Sequence, residues 1–134
     1  MLGPMFAMVV LIIAVFVYGI TIRVKAARSG VVHPSYFKVF DARGKDIPVR
    51  LQQLKNHAEN LFQMPMVFLI AGSVSLHFEP DFVISFLAWC YVALRVIHSF
   101  VHLTYNHVIH RLSAFVLSNI CLMIIWIRLV FVLS

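Results

Sequence analysis

Residues 1–22, MLGPMFAMVVLIIAVFVYGITI, contain no charged side chain, and the run closes on Arg23, Lys25 and Arg28. As a helix rising about 1.5 Å per residue, such a run crosses the roughly 30 Å hydrocarbon layer of a bilayer. A secretory signal carries its positive charge before the apolar run and a small-residue cleavage site after it, the reverse of this order. The stretch therefore reads as a retained membrane span. Two later stretches repeat the theme. Residues 82–105, FVISFLAWCYVALRVIHSFVHLTY, hold one formal charge at Arg95, and residues 111–133, RLSAFVLSNICLMIIWIRLVFVL, add Arg111 at their edge, Asn119 and Arg128.

Composition leads to the same fold class. Of 134 residues, 62% are hydrophobic and 12% charged, about half the charge of a soluble domain. A water-soluble fold is excluded. Four spans, at about 3–24, 49–77, 82–105 and 111–133, use up the length as one membrane domain over 1–134, an all-α four-helix bundle. The net charge of +6 comes from eleven Lys and Arg against five Asp and Glu. In a soluble protein this would raise nucleic acid as a partner, but in a membrane chain it reports orientation, so the expected partner is the lipid bilayer and not nucleic acid. Arg23, Lys25, Arg28, Lys38, Arg43, Lys45 and Arg50 cluster around the loop 25–48, whereas His77 to Asp81 holds only acidic formal charge. The basic loop is expected in the cytoplasm, with both termini on the other side. Tyr36, Phe37 and Phe40 suit a loop lying on headgroups. Cys90 and Cys121 sit inside apolar runs and form neither a CxxC nor a pairing framework, so they read as buried thiols.

The second span differs from the others. Asp46 is a candidate N-cap with Pro48 in the first turn, and Pro65 should bend the helix by depriving the Leu61 carbonyl of its donor. Gln52, Asn56, Glu59 and Gln63 are spaced by four, three and four, forming one helical stripe flanked by Lys55 and Asn60. On the third span Arg95, His98 and His102 repeat by three and four, and Tyr105 and Asn106 extend that face. The two stripes are expected to face each other near the cytoplasmic side, with Glu59 and Arg95 at similar depth and able to share one cavity. Such a cationic site with one carboxylate suits a small molecule bearing several carboxylates and one amine. The competing structural reading is an ion pair that only fixes helix register. His57, His77, His107 and His110 read as solvated or interfacial, Arg128 as snorkelling, and Asn119 as bonding across helices. His98 and His102 alone do not make a zinc site, since neither an HExxH motif nor a third ligand accompanies them, and no metal is expected.

These residues resemble a known family. Lys55-Asn56-His57-Ala58-Glu59-Asn60 is similar to the Asn-x-x-Glu-Asn signature of the membrane-associated proteins in eicosanoid and glutathione metabolism, the MAPEG family. Arg95-Val96-Ile97-His98-Ser99, followed by His102, Asn106 and Arg111, is similar to its Arg-x-x-His pattern with a later arginine. The resemblance covers nearly the whole chain. It implies a homotrimer that binds glutathione as co-substrate between subunits and conjugates it to a lipophilic small molecule or reduces hydroperoxides with it. It also implies site residues. Arg28, Lys55, Asn56, Glu59, Arg95, His98 and His102 would hold glutathione, and Arg111 would be the catalytic group that stabilises the thiolate. The alternative is a non-catalytic lipid-binding or regulatory protein of the same fold. The chain departs from the family at His102 and Phe115, where members carry tyrosines, at Leu112, where some carry serine, and at the late position of Pro65. The missing hydroxyl donors weigh against prostaglandin or leukotriene synthesis.

Overall fold

The computed structural model describes residues 1–30, 32, 48–79 and 81–133. Four helices follow in order, α1 (Leu2–Arg28), α2 (Val49–Ser75), α3 (Phe82–Leu103) and α4 (Val108–Leu133), and no strand occurs among the described residues. Three of them, α1, α3 and α4 over Val108–Val132, are long and apolar enough to cross a membrane. The 27-residue α2 matches them in length, but polar residues crowd its first half. The chain is an all-α four-helix bundle of an integral, multi-pass membrane protein. Lys38, Arg43, Lys45, Tyr36, Phe37, Phe40 and Asp46 lie outside the described residues.

The helix ends follow from local chemistry and differ in places from the sequence reading. Helix α1 has Pro4 in its first turn, where a missing N–H costs nothing, and continues through Lys25 to Arg28, whose charges suit the negative end of the helix dipole. Pro48 is not in the first turn of α2 but is its N-cap, because its extended backbone (ψ 129°) breaks the helix while its carbonyl accepts from Leu51 at 2.8 Å. Pro65 is buried inside α2. Helix α2 closes at Ser75, two residues short of the expected end, and α3 closes at Leu103. Helix α4 starts three residues earlier than expected, so that Arg111 falls within its first turn.

Helices α3 and α4 pack most extensively, α2 touches all three others, and α1 touches α2 and α3. One half of the bundle is apolar. Met8 and Val15 of α1, Leu61, Phe68 and Ala71 of α2, Ala88 and Tyr91 of α3, and Leu122, Ile125 and Leu129 of α4 form its core. Phe68 and Tyr91 stack there at 4.4 Å. Phe6, Phe16, Phe62, Trp89, Phe100 and Phe131 point outward and are more than half exposed, as expected where the surroundings are acyl chains.

At the acidic end, the Asp81 carboxylate caps α3 by accepting from the Ile84 N–H at 3.0 Å, and its other oxygen pairs with Arg128 Nε at 3.0 Å. Arg128 therefore does not simply snorkel; it ties the end of α4 to the start of α3. The Ile84 N–H and then Arg128 hold the Asp81 carboxyl below the usual carboxylate range. A carboxyl with a lowered pKa stabilises the fold above the ordinary range and ceases to do so as pH falls through the lowered value. Asp81→Ala is expected to cost about 1 kcal/mol, as for other lost N-caps. Asp81→Asn keeps a cap but should remove the acid-dependent part, and thermal unfolding in detergent at neutral and acidic pH separates the two.

Candidate functional site

The other half of the bundle is polar and is organised around Arg95, which is fully buried. Its Nη1 donates to Asn60 Oδ1 at 2.9 Å and its Nη2 to Asn119 Oδ1 at 3.0 Å, joining α2, α3 and α4. The Tyr91 and Phe115 rings each lie 5.2 Å from its guanidinium carbon. Asn119 bonds across helices as expected. Glu59 does not meet Arg95, because α2 turns Asn60 inward and leaves Glu59 exposed. Neutral amides thus hold the buried cation, and the ion pair read from the sequence is absent.

Arg111 stands in front of this network, held by residues of α3 and the turn after it. His98 Nδ1 donates to its carbonyl at 3.0 Å, its Nη1 donates to Asn106 Oδ1 at 3.0 Å, and the same nitrogen lies 3.4 Å from His102 Nε2. Asn106 can do this because it sits in the turn after α3 in the left-handed region (φ 48°), which asparagine tolerates better than most residues. Its own N–H closes on the Val101 carbonyl at 2.8 Å. Asn56, Asn60, His98, His102, Arg111 and Phe115 line a cleft of about 300 Å³.

A second cleft, of about 440 Å³, lies between α1 and α2 and is lined by Arg23, Lys55, Ala58, Glu59, Phe62 and Gln63. The expected site residues are therefore divided within one chain. Asn56, His98, His102 and Arg111 share the first cleft, Lys55 and Glu59 the second, and Arg95 is buried without lining either. Arg28 is exposed at the end of α1 and lines neither. Gln52, Asn56, Glu59 and Gln63 form an exposed polar stripe, stiffened where Gln52 Nε2 donates to Asn56 Oδ1 at 3.0 Å. Among the described residues no group of His, Cys, Asp or Glu is disposed to hold a metal ion.

The MAPEG family model matches residues 1–131 of the chain. The chain belongs to the MAPEG family. No curated protein and no solved structure gives a significant match. In this MAPEG bundle His57 corrects the sequence reading, being fully buried instead of solvated or interfacial. The spacing Leu54, His57, Leu61 carries that information, for it places His57 on the apolar face of α2. For Asn106 the spacing gave only its place on the face of His98 and His102. Only the backbone after α3 shows that its side chain turns back to Arg111.

Proposed function

We propose that the chain is a glutathione-dependent transferase or peroxidase that acts on lipophilic electrophiles or hydroperoxides as a homotrimer. The observation that carries this reading is Arg111, a guanidinium fixed in the first turn of α4 at a cleft that no carboxylate lines among the described residues. A thiol beside it meets both a fixed charge and the positive end of a helix dipole, and each unit of pKa lowering from about 8.5 corresponds to about 1.36 kcal/mol. Asn56, Asn60 and His98 supply hydrogen-bonding partners for the peptide part of glutathione. The electrophile arrives sideways from the acyl chains, and glutathione arrives from the water at the basic end.

The division of the site supports an assembly. The stripe on α2 is exposed along the two clefts of the single chain, and hydrocarbon cannot satisfy it, so a second copy is the natural cover. Contact between copies would bring the Glu59 cleft of one against the Arg111 cleft of another, offering a carboxylate to the amine of glutathione and cations to its carboxylates. In this reading the basic loop and the site lie at the cytoplasmic face. Calorimetric titration of the purified protein with glutathione is expected to show binding, native mass measurement in mild detergent three chains, and a chromogenic electrophile thiol-dependent turnover. Binding without turnover by any electrophile or hydroperoxide would favour the regulatory alternative, and a monomer that still binds glutathione would refute a site built between subunits.

A further inference from the structure

Three imidazole rings meet beneath the Arg111 cleft. The centroid of His57 on α2 lies 5.7 Å from that of His98 and 4.8 Å from that of His102, and the two α3 rings are 5.8 Å apart. All three are buried. Four of their nitrogens, His57 Nδ1 and Nε2, His98 Nε2 and His102 Nδ1, have no hydrogen-bond partner among the described residues. Leaving such nitrogens unpaired is costly, and apolar rings would fill the space without that cost. Among the described residues Arg95 and Arg111 are the charged groups that bear on the cluster; both are cations, which argues against a metal ion and against a charged imidazole there until an anion, such as a bound thiolate, offsets them. The cluster is continuous with the cleft, since His98 and His102 line it and His57 packs behind them.

We propose that this cluster is the proton-handling element of the cleft, with His102 taking the thiol proton of the co-substrate and returning it to the product, and with His57 and His98 as positioning residues. The proposal rests on the glutathione-dependent reading. His102 is placed for it because its Nε2 lies 3.4 Å from Arg111 Nη1, from which it accepts, so that a thiol held by Arg111 would reach the same lone pair and replace that long contact as the proton moves. The thiol S–H bond breaks, its electron pair stays on sulfur, and the proton bonds to the His102 imidazole. When the thiolate adds to an electron-poor carbon–carbon double bond, an S–C bond forms and the π pair moves to the neighbouring carbon. That carbon takes the proton back from the imidazolium, leaving His102 neutral. With a hydroperoxide, the thiolate attacks the terminal oxygen and the O–O pair departs on an alkoxide, which the same proton converts to an alcohol. The sulfenic acid so formed condenses with a second glutathione thiol to give a disulfide and water.

Glutathione titrations of the full-length protein in buffers of different ionisation heat count the protons released to solvent, while ultraviolet absorbance counts the thiolates formed. The wild type is expected to form thiolate with little proton release. His102→Gln, or His102→Asn if the first variant does not fold, should still bind glutathione and release close to one proton per thiolate. His57→Phe keeps the ring volume without the nitrogens and should move the release part of the way. Binding without thiolate, or full release by the wild type, or equal release by wild type and His102 variants, would overturn the proposal and leave glutathione binding intact. Absence of glutathione binding by the wild type would overturn both.

Discussion

Arg111→Ala is expected to slow glutathione-dependent turnover about 10²- to 10³-fold at neutral pH, the size of effect that follows loss of one donor to a negative charge in a reaction centre. The variant keeps the N-terminal end of α4, and with it the helix dipole, but loses the guanidinium that Asn106 and His102 hold. The bound thiol should then ionise nearer its ordinary pKa of about 8.5, and the pH–rate profile should move to higher pH. Binding should survive largely intact. Glu59→Gln should show the opposite pattern, weakening glutathione binding by about 1.5–3 kcal/mol through loss of a charge-assisted hydrogen bond, with little change in the thiolate that does form. Thiolate absorbance of the bound ligand distinguishes the two. Unchanged thiol ionisation in an Arg111→Ala protein that still binds glutathione would reduce Arg111 to an interfacial cation.

Asn119→Ala is expected to lower stability by about 2–3 kcal/mol, because it leaves a charged donor buried without its acceptor. Arg95 is fully buried, and its Nη2 has Asn119 as its hydrogen-bond acceptor. Asn60→Ala should cost a similar amount through Nη1. The two losses should not add, since both act on one guanidinium. Thermal unfolding of the single and double variants in the same detergent measures the coupling. An unchanged melting temperature in Asn119→Ala would show that Arg95 does not depend on this bond.

The apolar runs made the bundle legible, because a bilayer imposes its thickness on the sequence and leaves four long segments with few alternatives. Arg111, His98 and Asn56 could be grouped from spacing and depth, and they share a cleft. Periodicity alone could not choose the partner of Arg95. Residues 59 and 60 are adjacent on α2, and a rotation of one residue decides whether the carboxylate or the amide faces inward. The packing of Leu54, Leu61 and Phe68 against the rest of the bundle sets that rotation, and it favours Asn60. The same rotation buries His57. The contact of Asn106 with Arg111 rests on a left-handed backbone angle in the turn after α3, a property that neither composition nor hydrophobic pattern encodes.

The polarity of α2 also fixes an order of events during biogenesis. A segment carrying Lys55, Glu59 and three neighbouring amides, Gln52, Asn56 and Gln63, partitions poorly from the insertion channel into lipid by itself, since a charge adds up to about 2.5–3.5 kcal/mol to that transfer at the helix centre and less towards its ends. Helices α3 and α4 carry one mid-helix charge between them, Arg95, and Asn119 of α4 pairs with it inside the hairpin, so their obstacle is smaller. Joined by four residues and packed most extensively of all pairs, they can settle as a hairpin first. Arg95 then offers Asn60 a partner that lipid cannot, so α2 enters the bilayer against an existing wall. A chain truncated before α3 should leave α2 outside the hydrocarbon, exposed to the proteases that remove unassembled membrane proteins.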